Sequence, residues 1–596
     1  MKTNIFSNIK KQVAKLNTPL SLWRGVGGEA LVLLALLTAC SDKWDDHYDG
    51  TASGANMNSG SLWQAIENNP ELSNFASVVQ ATGFDRSLKG SQVFTVFAPT
   101  NTSFSKADAD AMINLYNQEK AASKRDEDNK AIKEFVKNHL SLYNYSVAEG
   151  RLDTITTMNG KRHALNNSQF SDIDLTSKNA LYSNGVLFTL DKVVPYYANV
   201  FEYLEKDADI SKAGEFFYNK RHYRQKFDAE RSVPDSIRDG ETVYSDSVMI
   251  QENTLFNSDA LRAQLNSEDS TYWMVVPTNE VWDVLVEKYE PYFNYDKAIE
   301  KDLKGIGDAD SLAYTNTRLA IMGGTIFSRT LNTDKMLADS AMSTNAYEYE
   351  LREYVWGADT LDYYQYQKPM ETIMANTTNV QCSNGQVMKS SNWQFEPKQT
   401  FMRDIIVEAE DARAIKELVK KKVNKDTIET VIANPVFVQP DNPYYGQISG
   451  HSYVEFTQLV TGGNTQHEVI FWIPEVLSNV PYDIYVRTVP GLAGDTAAVD
   501  IDRAPIKLMF EIGYRGLDGK AKKETIYTPV ESQKDSVDML LVKEGYKFPV
   551  CSYGVTESDP QITLKVSTYV TDAEVSALSY QRTMRIDCII LKPREE

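Results

Sequence analysis

From residue 61 onward the chain shows two kinds of apolar periodicity. Leu62 and Ile66, then Leu72, Phe75, Val78 and Val79, recur at helical spacing behind Ser61, a residue suited to an N-cap. Two short helices are predicted there, the second stopped by Gly83. Residues 93–99 (Val-Phe-Thr-Val-Phe-Ala-Pro) read as a short buried strand closed by Pro99. Residues 105–130 are predicted helical, with charge crowded toward the end, and Ala131 to Leu140 form a further amphipathic helix. Asp411 to Lys422 reads as a helix ending in a lysine run, the core of a connector over 406–434. After Pro435 the period changes to two, with strands predicted at 451–459, 467–473, 482–488, 506–514, 524–528, 538–543, 562–570 and 581–592. Short strands broken by Gly, Pro and Asp predict an all-β sandwich or jelly roll over 435–596.

The first segment repeats itself. Asn199-Val200-Phe201-Glu202-Tyr203-Leu204 matches the opening at Ser61. Tyr272-Trp273-Met274-Val275-Val276-Pro277-Thr278-Asn279 restates the strand-Pro-Thr-Asn run at 94–101, with Pro277 for Pro99 and Trp282 for Phe104. Ser383-Asn384-Gly385-Gln386-Val387-Met388 restates Asn184-Gly185-Val186-Leu187-Phe188. A repeat of this kind outweighs local propensity. It predicts a duplicated domain, at 61–197 and, enlarged and diverged, at 198–405.

The motifs themselves resemble a known family. Phe94 to Phe104 looks like the first box of the fasciclin domain, and Asn138-His139-Leu140 lies where that family has its central Asn-His motif. Asn159-Gly160-Lys161 resembles its hairpin, and Asn184 to Pro195 its second box, four motifs in order. The resemblance implies a multidomain chain, two α+β fasciclin-like domains followed by the all-β sandwich. It implies adhesion and binding rather than a shared catalytic centre. Read from the residues alone, Phe97 and Phe104 fill a core, Asn184-Gly185 is a hairpin signal, and His139 is a hydrogen-bonded histidine inside the fold.

The first forty residues bear on location. Leu31-Val32-Leu33-Leu34-Ala35-Leu36-Leu37 is too short to span a bilayer, which takes about 20 residues, and fits the apolar region of a signal peptide over 1–39. Lys2, Lys10, Lys11, Lys15 and Arg24 precede it. This basic lead is long and carries Glu29, a pattern that points to a start downstream of Met1. Leu37-Thr38-Ala39-Cys40 resembles the bacterial lipobox, which implies acylation of Cys40. Ser41, Asp42, Asp45 and Asp46, interrupted by Lys43, resemble the signal that sends lipoproteins of some Gram-negative gut bacteria to the cell surface. Small polar residues then make 40–60 a lipidated tether.

Charge narrows the partners. The 596 residues carry 62 basic and 82 acidic side chains, a net charge of −20. That argues against nucleic acid and against adsorption on anionic lipid, so the membrane is held through acyl chains alone. No G-x-S-x-G, H-E-x-x-H, P-loop or C-x-x-C motif is present. The expectation is a non-enzyme with no metal and no cofactor.

Aromatic residues supply the candidate binding positions. Tyr347, Tyr349, Trp356, Tyr363, Tyr364 and Tyr366 crowd one segment, with alternation that suggests a strand carrying aromatics on one face. Such a face can pack under a helix, meet a protein partner or stack on sugars. Tyr444, Tyr445 and Trp472 are further stacking candidates, or core. Residues 218–226 form a basic patch. Cys551 and Cys588 are a candidate disulfide that would leave Cys382 free.

Lipoproteins bearing this export signal often accompany TonB-dependent transporters and their capping lipoproteins. The resemblance thus implies an accessory subunit for capture of a nutrient, glycan or peptide, working by anchored proximity. Adhesion to host or neighbouring-cell matrix, and stand-alone glycan binding, are the alternatives.

Overall fold

The computed structural model describes residues 58–594 except 123, 239–240, 300–306, 347–363, 419, 425–426, 459–465 and 556–561. The chain divides into two units, Met1–Tyr196 and Tyr197–Glu596.

In the first unit, the helix Leu62–Glu67 starts at a capping box. Ser61 Oγ accepts from Gln64 N–H while the Gln64 side chain accepts from Ser61 N–H. The helix Ser73–Ala81 buries Phe75, Val78 and Val79. β1 (Phe94–Pro99), β2 (Leu140–Ser141), β3 (Leu152–Thr156), β4 (Arg162–Asn166), β5 (Gln169–Phe170), β6 (Ile173–Tyr182) and β7 (Gly185–Leu190) join in the order β2-β1-β7-β6-β5-β4-β3. β1 is buried on both faces, which explains its unbroken apolar sequence. Phe94, Val96 and Ala98 face the helices with Phe104 and Phe135. Phe97 faces the other way and stacks on Phe170 at 3.7 Å and 3°.

The helix expected over 105–130 ends at Ala121. Beyond it Glu119 turns the chain back, accepting from Lys130 N–H at 2.5 Å and pairing with Lys124 at 2.9 Å. Ala131–Val136 is a π-helical turn, followed by a 3₁₀ turn at Lys137–His139, rather than one regular helix. The His139 ring takes the Phe135 carbonyl (2.8 Å), a main-chain acceptor a longer helix would have used.

The second unit begins with the same frame. β10 (Tyr272–Pro277) pairs in parallel with β15 (Gly385–Ser390), from Tyr272↔Gly385 to Pro277↔Ser390, as β1 pairs with β7 from Phe94↔Gly185 to Pro99↔Leu190. Asn184 Oδ1 accepts from Leu62 N–H (2.8 Å), and its amide donates to Leu88 O (2.8 Å) and Gly90 O (2.9 Å). Asn384 does the same with Val200 N–H (2.7 Å), Leu265 O (2.9 Å) and Ser267 O (2.8 Å). Asn101 and Asn279 repeat each other as well. The Asn101 amide donates to Pro70 O and Ser73 Oγ, and that of Asn279 to Ala208 O and Ser211 Oγ. Glycine follows both hairpin asparagines because φ is +146° at Gly185 and +143° at Gly385. A Cβ there would lie 1.9 Å from Phe94 O or 1.8 Å from Tyr272 O.

Around this frame, β11 (Ile326–Ser328) and β14 (Thr378–Cys382) complete the sheet β11-β10-β15-β14. The basic patch at 218–226 leads into a two-stranded ribbon of β8 (Tyr223–Arg238) and β9 (Glu241–Asn253). β12 (Ser340–Met342) pairs with β13 (Gln365–Gln367).

The remaining strands make two facing sheets. β16 (Ile405–Glu408), β18 (Lys420–Asn424), β19 (Thr427–Phe437), β20 (Ser452–Gln458), β22 (Pro481–Thr488), β25 (Asp538–Lys547) and β27 (Met584–Pro593) form one. Its order is β18-β19-β20-β27-β22-β25, with β16 also on β27. β17 (Ile415–Leu418), β21 (Glu468–Trp472), β23 (Lys507–Arg515), β24 (Ala521–Glu531) and β26 (Ile562–Thr568) form the other, in the order β17-β21-β26-β23-β24. The inward residues interdigitate: Phe456 meets Phe471 edge-on at 5.8 Å.

The helix expected from Asp411 to Lys422 is instead two strands, β17 on β21 and β18 on β19. Open sheet edges supply hydrogen-bond partners there, and that pairing overrides the helical propensity of the lysine run. Nor is 406–434 a connector between separate cores. One apolar cluster runs from Val200 to Leu591. Residues 291–296 fasten its two parts: Ser478 Oγ donates to Pro291 O (2.9 Å), Cys551 N–H to Asn294 O (2.7 Å) and Tyr295 O–H to Tyr553 O (2.7 Å). Asp296, fully buried, pairs with Arg515.

Candidate functional site

The predicted positions separate. Cys40, Ser41, Asp42, Asp45, Asp46, Tyr347, Tyr349, Trp356 and Tyr363 lie outside the described residues. Tyr364 and Tyr366 are 3% and 2% exposed, which corrects their reading as a binding surface. Tyr366 sits between Phe327 (5.7 Å) and Phe395 (5.2 Å), edge to face with both, so it fills a core. Tyr364 is buried at φ +57°, with the Arg403 guanidinium 5.8 Å from its ring.

Tyr444, Tyr445 and Trp472 are part-exposed but do not converge. The two tyrosines occupy the turn between β19 and β20, where Tyr444 O–H donates to Asp535 O (2.7 Å) and Tyr445 stacks on His451 at 3.7 Å. Trp472 ends β21 in the other sheet, under Lys416 Nζ at 4.3 Å. His139 is fully buried. Phe135 O accepts from its Nδ1 (2.8 Å), and its Nε2 accepts from Val194 N–H (3.1 Å). Burial holds its pKa down at about 4. Cys382, Cys551 and Cys588 are all buried and none is in a disulfide, so the candidate Cys551–Cys588 bond is not formed. Cys551 lies with Tyr295, while Cys588 lies with carboxylates.

Those carboxylates form the concentrated chemistry of the two facing sheets. β16 ends at Glu408, which is in register with Cys588 on β27. Opposite β22 the register of β27 slips between Val486↔Ile589 and Thr488↔Ile586, so Asp587 and Cys588 together face the single residue Arg487. That bulge turns two neighbouring side chains into one cluster. Glu408, Asp587 and Cys588 are all buried, and their ligating atoms lie within 4.8 Å of one another.

Half of each carboxylate is satisfied. Ser449 Oγ donates to Glu408 Oε1 (2.6 Å) and Ser449 N–H to Asp587 Oδ2 (3.2 Å). Arg487 Nη1 lies 3.3 Å from Asp587 Oδ2, and Ser452 Oγ donates to Glu410 Oε1 (2.6 Å). Glu408 Oε2, Glu410 Oε2 and Asp587 Oδ1 are buried with no hydrogen-bond partner. Burial, with Asp587 and Glu410 nearby, raises the Glu408 pKa to about 8. Burial raises Asp587 to about 7 against the pull of Arg487. The Cys588 thiol is pushed well above its ordinary value by burial and by both acids.

Sequence reasoning missed this cluster. Two signals were present: the Glu408-Ala409-Glu410 pair closing an apolar run, and Asp587 inside Ile586-Asp587-Cys588-Ile589-Ile590. A lone acid in so apolar a strand is costly to bury without a partner.

Comparison with known proteins adds the following. Residues 70–195 match the family described as Fasciclin domain, and the rest of the chain lies outside that match. The chain therefore carries a fasciclin domain in its first unit. No curated protein matches it. Among solved structures it is similar to a FAS1 domain pair from the insect cell adhesion molecule fasciclin I. Identity there is 12%, over 55% of this chain and 98% of that one, at a TM-score of 0.18. It is also similar to a xylan-binding CBM22-1 domain from Paenibacillus barcinonensis Xyn10C, at 14% identity over 31% of this chain and 99% of that one, TM-score 0.18. A third likeness is to the CBM22-1–GH10 modules of a Clostridium thermocellum xylanase, at 12% identity. It covers 30% of this chain and 29% of that one, TM-score 0.17. At these TM-scores the three likenesses carry no argument about fold or function.

Proposed function

We propose that the chain is a non-enzymatic, lipid-anchored outer-membrane protein facing the cell exterior, with two fasciclin-like domains ahead of a β-sandwich. It serves as a binding and assembly subunit of a TonB-dependent uptake complex for a glycan or peptide. The observation that carries the two-domain reading is the repeated frame. Asn184 and Asn384 each tie an opening helix to a parallel strand pair through three matched hydrogen bonds. The second copy shares one apolar core with the sandwich, which suits a presenting scaffold. The lipobox-like Leu37-Thr38-Ala39-Cys40 supports the anchor, and the acidic residues after it support export.

The test is a mild-detergent pull-down of the full-length protein from its own outer membrane, read by mass spectrometry. A stoichiometric transporter and capping lipoprotein are expected. Recovery of the protein alone, from membranes shown to contain such a transporter, overturns the uptake reading. Adhesion or stand-alone glycan binding would then replace it.

A further inference from the structure

We propose that Glu408, Asp587 and Cys588 hold a divalent cation of the zinc class, which clamps β16 to β27 in the sandwich. Their three ligating atoms lie within 4.8 Å of one another, so shifts of about 1 Å in the side chains bring them onto one ion. Two observations independent of the clustering point to a missing ligand. Asp587 is fully buried and Glu408 is 8% exposed, yet Asp587 Oδ1 and Glu408 Oε2 have no hydrogen-bond partner. Native proteins rarely leave buried carboxylate oxygens unsatisfied.

The remaining contacts orient these oxygens rather than satisfy them. Ser449 holds Glu408 by Oε1 and Asp587 by Oδ2, and Arg487 also takes Oδ2. Each acid is thus gripped by one oxygen and free at the other. Hydrogen bonds to the far oxygen of a ligating carboxylate fix its orientation. Charge points the same way: three carboxylates, counting Glu410, meet one guanidinium, and a divalent ion offsets most of the negative charge that they and the Cys588 thiolate carry. Glu410, held by Ser452 and with Oε2 buried and unpartnered, adds negative charge beside the three ligands.

The third ligand sets the class of ion. Calcium and magnesium take oxygen ligands. A thiol beside two carboxylates suits a borderline ion such as zinc, which binds Cys sulfur and Asp or Glu oxygen together. On binding, the Cys588 S–H bond breaks, its electron pair goes to the metal, and the proton leaves to solvent. Any proton shared by the carboxyls leaves with it. No oxidant or reductant takes part.

The test uses the full chain, stripped with a chelator and dialysed, then given zinc or calcium chloride. One zinc per chain by elemental analysis and a rise in melting temperature of several degrees are expected. Glu408→Gln and Asp587→Asn should abolish both. If those variants fail to fold, Cys588→Ser keeps the question open to refutation. It should weaken zinc at least tenfold while leaving the chelator-treated melt unchanged. Cobalt in place of zinc should show a thiolate charge-transfer band that the serine variant lacks. No bound zinc, no thiolate band, or equal stabilisation by calcium that ignores Cys588→Ser would overturn the proposal.

Discussion

Replacing Asn184 by alanine tests whether the repeated asparagine is what fastens each domain. Its side chain, 3% exposed, meets three main-chain groups: Leu62 N–H at 2.8 Å, Leu88 O at 2.8 Å and Gly90 O at 2.9 Å. Leu62 and Leu88 are fully buried, so alanine strands one donor and one acceptor. Gly90 is exposed and can recover water. At about 1–3 kcal/mol for each buried group left unpaired, the loss should be about 3 kcal/mol. Asn184→Asp separates the terms. It keeps the acceptor for Leu62 but turns an oxygen toward two carbonyls, and should cost at least as much. Asn384→Ala should cost a similar amount through Val200 N–H, Leu265 O and Ser267 O. Hydrogen–deuterium exchange of the whole chain, read by peptide, gives the opening free energy of each unit. Asn184→Ala should speed exchange across 58–196 and leave 197–594 unchanged, and Asn384→Ala should do the reverse. A change below about 1 kcal/mol in the matching unit would refute the reasoning, because two buried main-chain groups cannot be left unpaired so cheaply.

Two further outcomes follow from buried polar atoms. His139 accepts from Val194 N–H and holds the Phe135 carbonyl, so it must stay neutral. It titrates at about 4 when folded, against about 6.5 when unfolded, so its contribution is complete above pH 6.5 and is lost as the pH falls toward 4. The loss should reach about 3 kcal/mol, measured as the acid dependence of exchange in 58–196, and His139→Gln should shrink it to the part left by His163, which burial also holds at about 4. A pH-independent profile between 6.5 and 4 would refute it. Tyr366→Phe should leave stability unchanged or raise it, because the hydroxyl is buried without a hydrogen-bond partner. A loss above about 1 kcal/mol in urea unfolding would show a partner for that hydroxyl.

What was legible in the sequence is what neighbouring residues decide among themselves. Ser61 caps a helix, Pro99 ends a strand, and Asn184-Gly185 turns the chain, because these depend on a few dihedrals and local hydrogen bonds. The duplicated motif could be read because both copies keep the same residues for the same turns. Several strands after residue 435 could be read too, since buried and part-exposed positions alternate along them, as in β26 from Ile562 to Thr568.

Tertiary structure decided the rest. Residues 415–418 and 420–424 became strands because sheet edges met them, not because of their own preference. Tyr366 went inside because Phe327 and Phe395, far along the chain, closed around it. Cys588 stayed unpaired with Cys551 because β27 aligned it with Glu408. The carboxylate cluster joins β16 to a bulge some 180 residues later in the chain, at positions set by strand register. A sequence states which groups are available. Register, bulge and burial determine which of them meet, because those are properties of long-range pairing that no local window contains.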